Sequence, residues 1–372
     1  MGKLKMSLLA TVLVLILSVA ALCGCALRQF GQAPQDTSAF EALPYFAEGV
    51  FISPVPTPFY RDKIEGHSGG TTSMLLRHVV GSSNKPDNPL PMIRLDKNSF
   101  PEKPEQFAIY WLGHASLLIE LDGKRMLVDP VFGNAAPLPF AARRHGPPPL
   151  KRKDLPHIDY VLITHDHYDH LEKAAVRDLK SRNLVFVVPL GVSDHLRKWG
   201  VPDAKIKELG WGDAFVDGNI TIIAETGVHF SGRTFSTRNS SLWASYVIKG
   251  TDTGKRLFVS GDTGYGEHFK EIGNKYGPFD VAFIEIDAWN PGWPKSHPFP
   301  DETIRIYHDV KAKALLPVHW AVFDLAMHPW DRSINMVAEL ADADGNVVLL
   351  TPMMGQRVVP GETKTSRWWL EK

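Results

Sequence analysis

Thr164-His165-Asp166-His167-Tyr168-Asp169-His170 is the stretch on which the reading of this chain turns. Three imidazoles and two carboxylates occupy six consecutive positions. They follow Ile158-Asp159-Tyr160-Val161-Leu162-Ile163-Thr164, a run after Pro156 whose β-branched and apolar side chains predict a buried strand. In extended chain, side chains at i and i+2 share a face, so His165 and His167 point together at one ion. The segment from Leu171 to Lys180 has helical spacing, so the chain turns sharply after the strand, and that turn aims Asp169 and His170 at a second ion. Neutral imidazole and carboxylate suit zinc, and also iron or manganese, better than calcium or magnesium. The competing reading is a solvated polar loop. So dense a cluster behind an apolar strand favours the metal site.

Further motifs narrow the match. Trp111-Leu112-Gly113-His114-Ala115-Ser116 is followed by Val128-Asp129-Pro130, by Gly261-Asp262-Thr263-Gly264-Tyr265 and by Val318-His319-Trp320. With His165-x-His167-x-Asp169-His170, this order and spacing resembles the metallo-β-lactamase superfamily of binuclear hydrolases. Within it, the resemblance is to the branch of N-acylphosphatidylethanolamine-hydrolysing phospholipase D, and it runs from about Phe107 to about Met354. It implies an αββα four-layer sandwich, an α/β architecture. It also implies one metal on His165, His167 and His229, another on Asp169, His170 and His319, and Asp262 bridging them.

Each of the last three ligands has a local argument as well. His229 follows the strand-like Ile220–Ala224 by a turn containing Gly227, Asp262 sits between Gly261 and Thr263 after Arg256–Ser260, and His319 ends Ala314–Val318. Ligands delivered by strand ends suit a site built at one edge of a sheet. Asp129, at the end of Arg125–Val128, suits an outer role, because a metal-bound imidazole usually donates its other N–H to a carboxylate or carbonyl. His114 reads either as a core histidine or as an outer partner, and neither residue is expected as a ligand.

Two ions about 3.5–4 Å apart make a nucleophile from water at neutral pH and neutralise charge on a phosphoryl or carbonyl oxygen. No serine or cysteine nucleophile is needed. Asp169 is expected to steer the attacking hydroxide and accept its proton, and Tyr265 or His297 to donate to the substrate, although His297 reads equally as an exposed loop residue. The expected activity is a zinc-dependent phosphodiesterase that releases N-acylethanolamine from a phospholipid or related lipid. The alternatives are a lactonase or other ester or amide hydrolase, and a non-catalytic ligand-binding lipoprotein.

The rest of the chain sets the context. Lys3 and Lys5 precede an uncharged apolar stretch from Leu8 to Leu22, as in a signal peptide. It ends Leu22-Cys23-Gly24-Cys25, which resembles a bacterial lipoprotein signal with Cys25 as the lipidated first residue. That implies a cell-envelope protein, anchored in the outer membrane and facing the periplasm. Both cysteines of the chain fall here, so the mature protein has neither disulfide nor free thiol. Removing residues 1–25 leaves 39 basic against 41 acidic side chains, a net of −2. That balance argues against nucleic acid as a partner, which calls for basic excess.

Residues 26–106, rich in turn signals, read as tether and N-terminal decoration, with a short helix or strand at Thr72–Val80, and residues 107–372 read as the hydrolase domain. Downstream, strand candidates at 184–188, 205–209, 242–249, 281–286 and 347–350 interleave with helix candidates at 193–199, 267–276, 300–313 and 330–340. The basic, Pro-rich Arg143–Lys153 reads as a solvated loop or a headgroup-attracting one. Aromatics near the ligand motifs, namely Trp211, Phe230, Trp243, Tyr265, Trp289, Trp293, Trp320 and Phe323, are expected mainly in the core, some lining an acyl groove.

Overall fold

Alternation along the first long strand, Phe107–Gly113 (β3), sets the architecture. Ile109 and Trp111 join one hydrophobic cluster, while Ala108, Tyr110 and Leu112 join another, so the strand is covered on both faces. The structure is a computed structural model that describes residues 24, 26–27, 29–55, 84–138, 141–326 and 328–371. The expected signal peptide up to Leu22, the lipidation position Cys25 and the Thr72–Val80 element lie outside the described residues.

Numbered in chain order, Phe46–Ala47 (β1) and Val50–Phe51 (β2) form a small antiparallel pair. The first large sheet has seven strands in the order β15-β3-β4-β5-β6-β7-β8. Here β4 is Ser116–Leu121, β5 Lys124–Val128, β6 Tyr160–Leu162, β7 Val185–Pro189, β8 Ile206–Leu209 and β15 Arg357–Val358. The second has six strands in the order β14-β13-β12-β11-β10-β9. These are Ala214–Asp217 (β9), Ile220–Glu225 (β10), Ser245–Gly250 (β11), Arg256–Val259 (β12), Val281–Glu285 (β13) and Leu315–Val318 (β14). Strands β5 to β8 run parallel, as do β12 to β14.

Lys173–Leu179 (α1) and Ser193–Lys198 (α2) pack Val176, Leu179 and Leu196 on the outer face of the seven-stranded sheet. His268–Tyr276 (α3), Pro300–Asp309 (α4) and Arg332–Asp344 (α5) cover the other sheet through Phe269, Ile306 and Val337. The inner faces of both sheets share one core, which includes Ile119, Met126, Ile222 and Ile248. The result is the expected four-layer αββα sandwich.

Local differences have local causes. The 300–313 candidate stops at Asp309, and Lys311 then takes φ 58°, which ends the helical course. Leu349 makes only an isolated bridge to Leu315, so 347–350 is not a strand. Residues 29–55, expected as tether and decoration, are docked over this stretch. Phe40, Phe46 and Phe51 cluster with Leu242 and Trp243, and Tyr45 packs on Trp211 with ring centres 4.6 Å apart. Among the described residues no helix is long and apolar enough to cross a membrane.

Candidate metal centre

The ligand residues of both halves emerge at one edge of the two sheets. The loop after β6 carries His165, His167, Asp169 and His170, the turn after β10 carries His229, Asp262 follows β12, and His319 follows β14. Gly261 makes the Asp262 turn possible. Its φ is +59°, and a Cβ there would lie 2.9 Å from the Ala244 carbonyl oxygen and 3.1 Å from Thr164 Cβ. His114, Asp129 and His319 also hold left-handed backbone, with φ of 53°, 41° and 68°. Such conformations cost about 1–2 kcal/mol each in residues with a Cβ, and they gather here at one edge.

The side chains form two groups joined by one carboxylate. In the first, His167 Nδ1 lies 2.8 Å from His165 Nε2 and 3.3 Å from His229 Nε2, and Asp262 Oδ2 lies 3.8 Å from both of those Nε2 atoms. In the second, Asp169 Oδ2 is 3.3 Å from His319 Nε2 and 3.4 Å from His170 Nε2. Asp262 reaches this group too, with Oδ2 3.1 Å from His319 Nε2 and Oδ1 3.2 Å from His170 Nε2. Asp262 therefore stands between the groups, where a bridging ligand would.

These residues fit a pair of divalent ions. Ligand atoms around a tetrahedral zinc, with bonds of 2.0–2.1 Å, lie about 3.3 Å apart, close to the separations seen. His170 Nε2, His319 Nε2 and Asp262 Oδ1 are buried and have no hydrogen-bond partner. Uncompensated buried polar atoms are costly unless a ligand satisfies them. The charges agree. Although burial opposes it, Asp262, Asp169 and Asp129 raise His170 well above the ordinary imidazole range, and Asp262 and Asp169 push His319 up to about 10. His165 and His229 move the other way, held well below that range by burial. The acids of the second group thus draw in positive charge of the kind that a divalent cation brings.

Outer contacts orient the cluster. Asp129 Oδ2 accepts from His170 Nδ1 at 2.8 Å, while its two oxygens take the Thr164 amide at 2.8 Å and hydroxyl at 2.7 Å. His114, left open between core and outer roles, lies 3.0 Å through Nε2 from Asp169 Oδ2 and packs on the His319 ring at 4.0 Å. Burial drives its pKa down to about 3, so it is neutral and its Nε2–H donates to Asp169. His229 Nδ1 donates to the Ser296 carbonyl at 2.9 Å.

The two expected substrate donors part company. His297 joins the cluster beside Asp262 and His319, with Nδ1 2.6 Å from Glu285 Oε2. Tyr265 does not. Its hydroxyl donates to Asp309 at 2.7 Å and its ring lies under the Arg305 guanidinium at 4.0 Å, so the hydroxyl is engaged by helix α4.

Glu285 escaped sequence reasoning. It is buried, accepts from the Thr263 amide and from His297, and burial raises it to about 7. The signal was an acid inside the otherwise apolar Val281–Ile286. Of the aromatics, Trp243, Tyr265, Trp289, Trp320 and Phe323 are buried; Phe230 stacks on His229 at 4.5 Å, and Phe323 meets His114 edge-on at 4.9 Å. In the basic loop, Arg152 pairs with Glu172 and Asp178, whereas Arg143, Lys151 and Lys153 are exposed.

Comparison with known proteins agrees with this geometry. The profile of the beta-lactamase superfamily domain matches residues 124–320. An uncharacterised protein of Mycobacterium tuberculosis is 36% identical over 336 residues, covering 88% of each chain. The N-acyl-phosphatidylethanolamine-hydrolyzing phospholipase D 1 of Caenorhabditis elegans is 34% identical over 276 residues, covering 69% of this chain and 76% of that one. In fold, the isothiocyanate hydrolase from Delia radicum gut bacteria superposes with a TM-score of 0.55 at 19% identity, over 68% of this chain and 98% of its own. The chain belongs to the metallo-β-lactamase superfamily of metal-dependent hydrolases, in the branch of the N-acylphosphatidylethanolamine-hydrolysing phospholipases D.

Proposed function

We propose that the protein is a zinc phosphodiesterase that cleaves N-acylphosphatidylethanolamine or a related lipid into phosphatidic acid and an N-acylethanolamine. We also propose that it does so as a lipoprotein anchored through Cys25 to the outer membrane, facing the periplasm. The observation that carries the reading is Asp262 set between two groups of buried imidazoles, the arrangement a binuclear hydrolase requires. The lipid substrate is supported by the relationship to the nematode phospholipase, and the anchor by the Leu22-Cys23-Gly24-Cys25 run after an apolar leader.

His165, His167 and His229 would hold one ion, Asp169, His170 and His319 the other, and Asp262 both. When bound, the ions supply a water-derived nucleophile at neutral pH and Lewis acidity toward the phosphoryl oxygens. Asp169 orients the attacking water and accepts its proton, and His114 fixes the Asp169 carboxylate from behind. His297 donates to the leaving oxygen. Its Nδ1 is tied to Glu285, which leaves Nε2 for the substrate, and Glu285 with Asp262 keeps it protonated against the pull of burial. Its side chain is 12% exposed, against 0–1% for His165, His170, His229 and His319, which supports a role toward a substrate arriving from solvent.

Hydrolysis of N-acylphosphatidylethanolamine by the full-length chain in oxygen-labelled water tests which bond breaks. Label is expected in phosphatidic acid, with the released N-acylethanolamine unlabelled. Labelled fatty acid would instead establish an ester or amide hydrolase. Rapid lactone opening with no turnover of lipid would overturn the phospholipase reading and leave the metal centre standing.

A further inference from the structure

Asp166 lies between two ligand histidines, yet its carboxylate turns to His195, Gly232 and Ser241. Its carboxylate is fully buried and fully used. Oδ1 accepts from the Gly232 amide at 2.7 Å, while Oδ2 accepts from the Ser241 hydroxyl and lies 3.0 Å from His195 Nε2. His195 Nδ1 in turn accepts from the backbone amide of Gln32 at 2.9 Å. An amide can only donate, so His195 carries its proton on Nε2 and gives that hydrogen bond to Asp166.

A second line runs from the same segment to the same residue. The Gln29 carbonyl accepts from Arg233 at 3.2 Å from Nε and 2.9 Å from Nη2, and Arg233 Nη1 donates to the backbone carbonyls of Asp166 at 2.7 Å and Leu171 at 2.9 Å. The Arg233 guanidinium lies 4.0 Å over the ring of Tyr168, which sits inside the ligand loop. Between the two lines, Gly31 has φ +73°, and a Cβ there would fall 2.2 Å from His195 Nδ1 and 3.1 Å from Trp199.

We propose that residues 29–32 are a strap belonging to the metal centre. Through His195 and Arg233 they clamp both the side chain and the backbone of Asp166, and so fix the loop on which His165 and His167 stand. Asp166, His195 and Arg233 are positioning residues, remote from the substrate. The strap is separated from the ligands by more than 130 positions of sequence, so only the fold makes it part of the site. This inference rests on the metal-centre reading.

Gly31→Ala tests it by displacing the strap without touching a ligand or an acid. In the full-length chain, zinc affinity measured by competition with a chromogenic chelator is expected to fall about 10–100-fold, the usual cost of losing an outer contact to a metal ligand. The cobalt-substituted protein should show an altered visible spectrum. His195→Ala should behave in the same way, and His195→Gln, whose amide can both accept from Gln32 and donate to Asp166, should restore much of the affinity. Unchanged affinity and spectrum in Gly31→Ala and His195→Ala would overturn the proposal. So would a loss of thermal stability in the metal-free variants with zinc affinity intact, because the strap would then be only structural. If the unaltered chain binds no zinc, the metal-centre reading itself fails.

Discussion

The two halves of the metal centre are built from similar side chains and are electrostatically unlike. The half formed by His165, His167 and His229 consists of imidazoles that burial keeps neutral, and Asp262 is the carboxylate grouped with all three. The half formed by Asp169, His170 and His319 is crowded with acids, because Asp129 backs His170 while Asp169 and Asp262 face both imidazoles. There, carboxylates overcome burial and raise His170 and His319. The same ligand type is thus a free lone pair in one half and a protonated cation in the other, and the neighbours decide which. The first half is ready for a metal, whereas the second must exchange protons for one.

The largest expected effect lies where the halves meet. Asp262→Asn removes the charge they share, and it should abolish measurable hydrolysis and reduce bound metal from about two ions per chain. Full activity with one tightly held ion would dissolve the two-half description altogether.

His297 comes next, because its ring touches both halves, 5.2 Å from His229 and 5.4 Å from His319 between ring centres. If it is the proton donor proposed above, its change to Ala should cost about a hundredfold in kcat, with metal content unchanged. Tyr265→Phe should move kcat by less than about twofold, since that hydroxyl is engaged by Asp309. The reverse ranking would restore Tyr265 to the reaction.

The finest test reads protons directly. Metal ligands must be deprotonated to bind, so a half whose imidazoles carry protons releases them on binding and gains affinity as pH rises. Near pH 7 the Asp169–His170–His319 half should release about two protons and strengthen with rising pH, because both imidazoles sit above that pH when metal-free. The His165–His167–His229 half, already neutral, should release almost none, and its affinity should be flat above the ordinary imidazole range. Calorimetric titration in buffers of different ionisation enthalpy separates the two events. Equal proton release from both would erase the asymmetry.

The docked N-terminal segment bears on the proposed anchor as well. With Gln29 held by Arg233, the chain between Cys25 and Gln29 spans at most about 14 Å. A lipid on Cys25 would therefore hold the hydrolase domain close to the bilayer, in place of the long tether that residues 26–106 suggested.

Much of this protein was legible in its sequence because the signals were local. An extended strand followed at once by His165-x-His167 places two imidazoles on one face whatever surrounds them, and Gly261-Asp262 marks a turn that exposes a carboxylate. The apolar run Val281–Ile286 reads as a strand from its residues alone, while the layered sandwich was implied by the resemblance to the superfamily. Asp166, Glu285 and the strap were decided only by tertiary structure. Nothing local distinguishes Asp166, which holds the ligand loop, from Asp169 three residues later, which faces the ligands. The distinction comes from the direction each side chain takes after the strand ends, and from His195, Gly232 and Ser241 arriving from other parts of the chain. Tyr265 shows the converse, since it follows Asp262 closely in sequence while its hydroxyl goes to Asp309 at the end of helix α4. Sequence fixes which groups are chemically able to serve, because composition and short-range geometry travel with the chain. Which of them face the same point, and with what charge, depends on burial and on neighbours brought together by the fold.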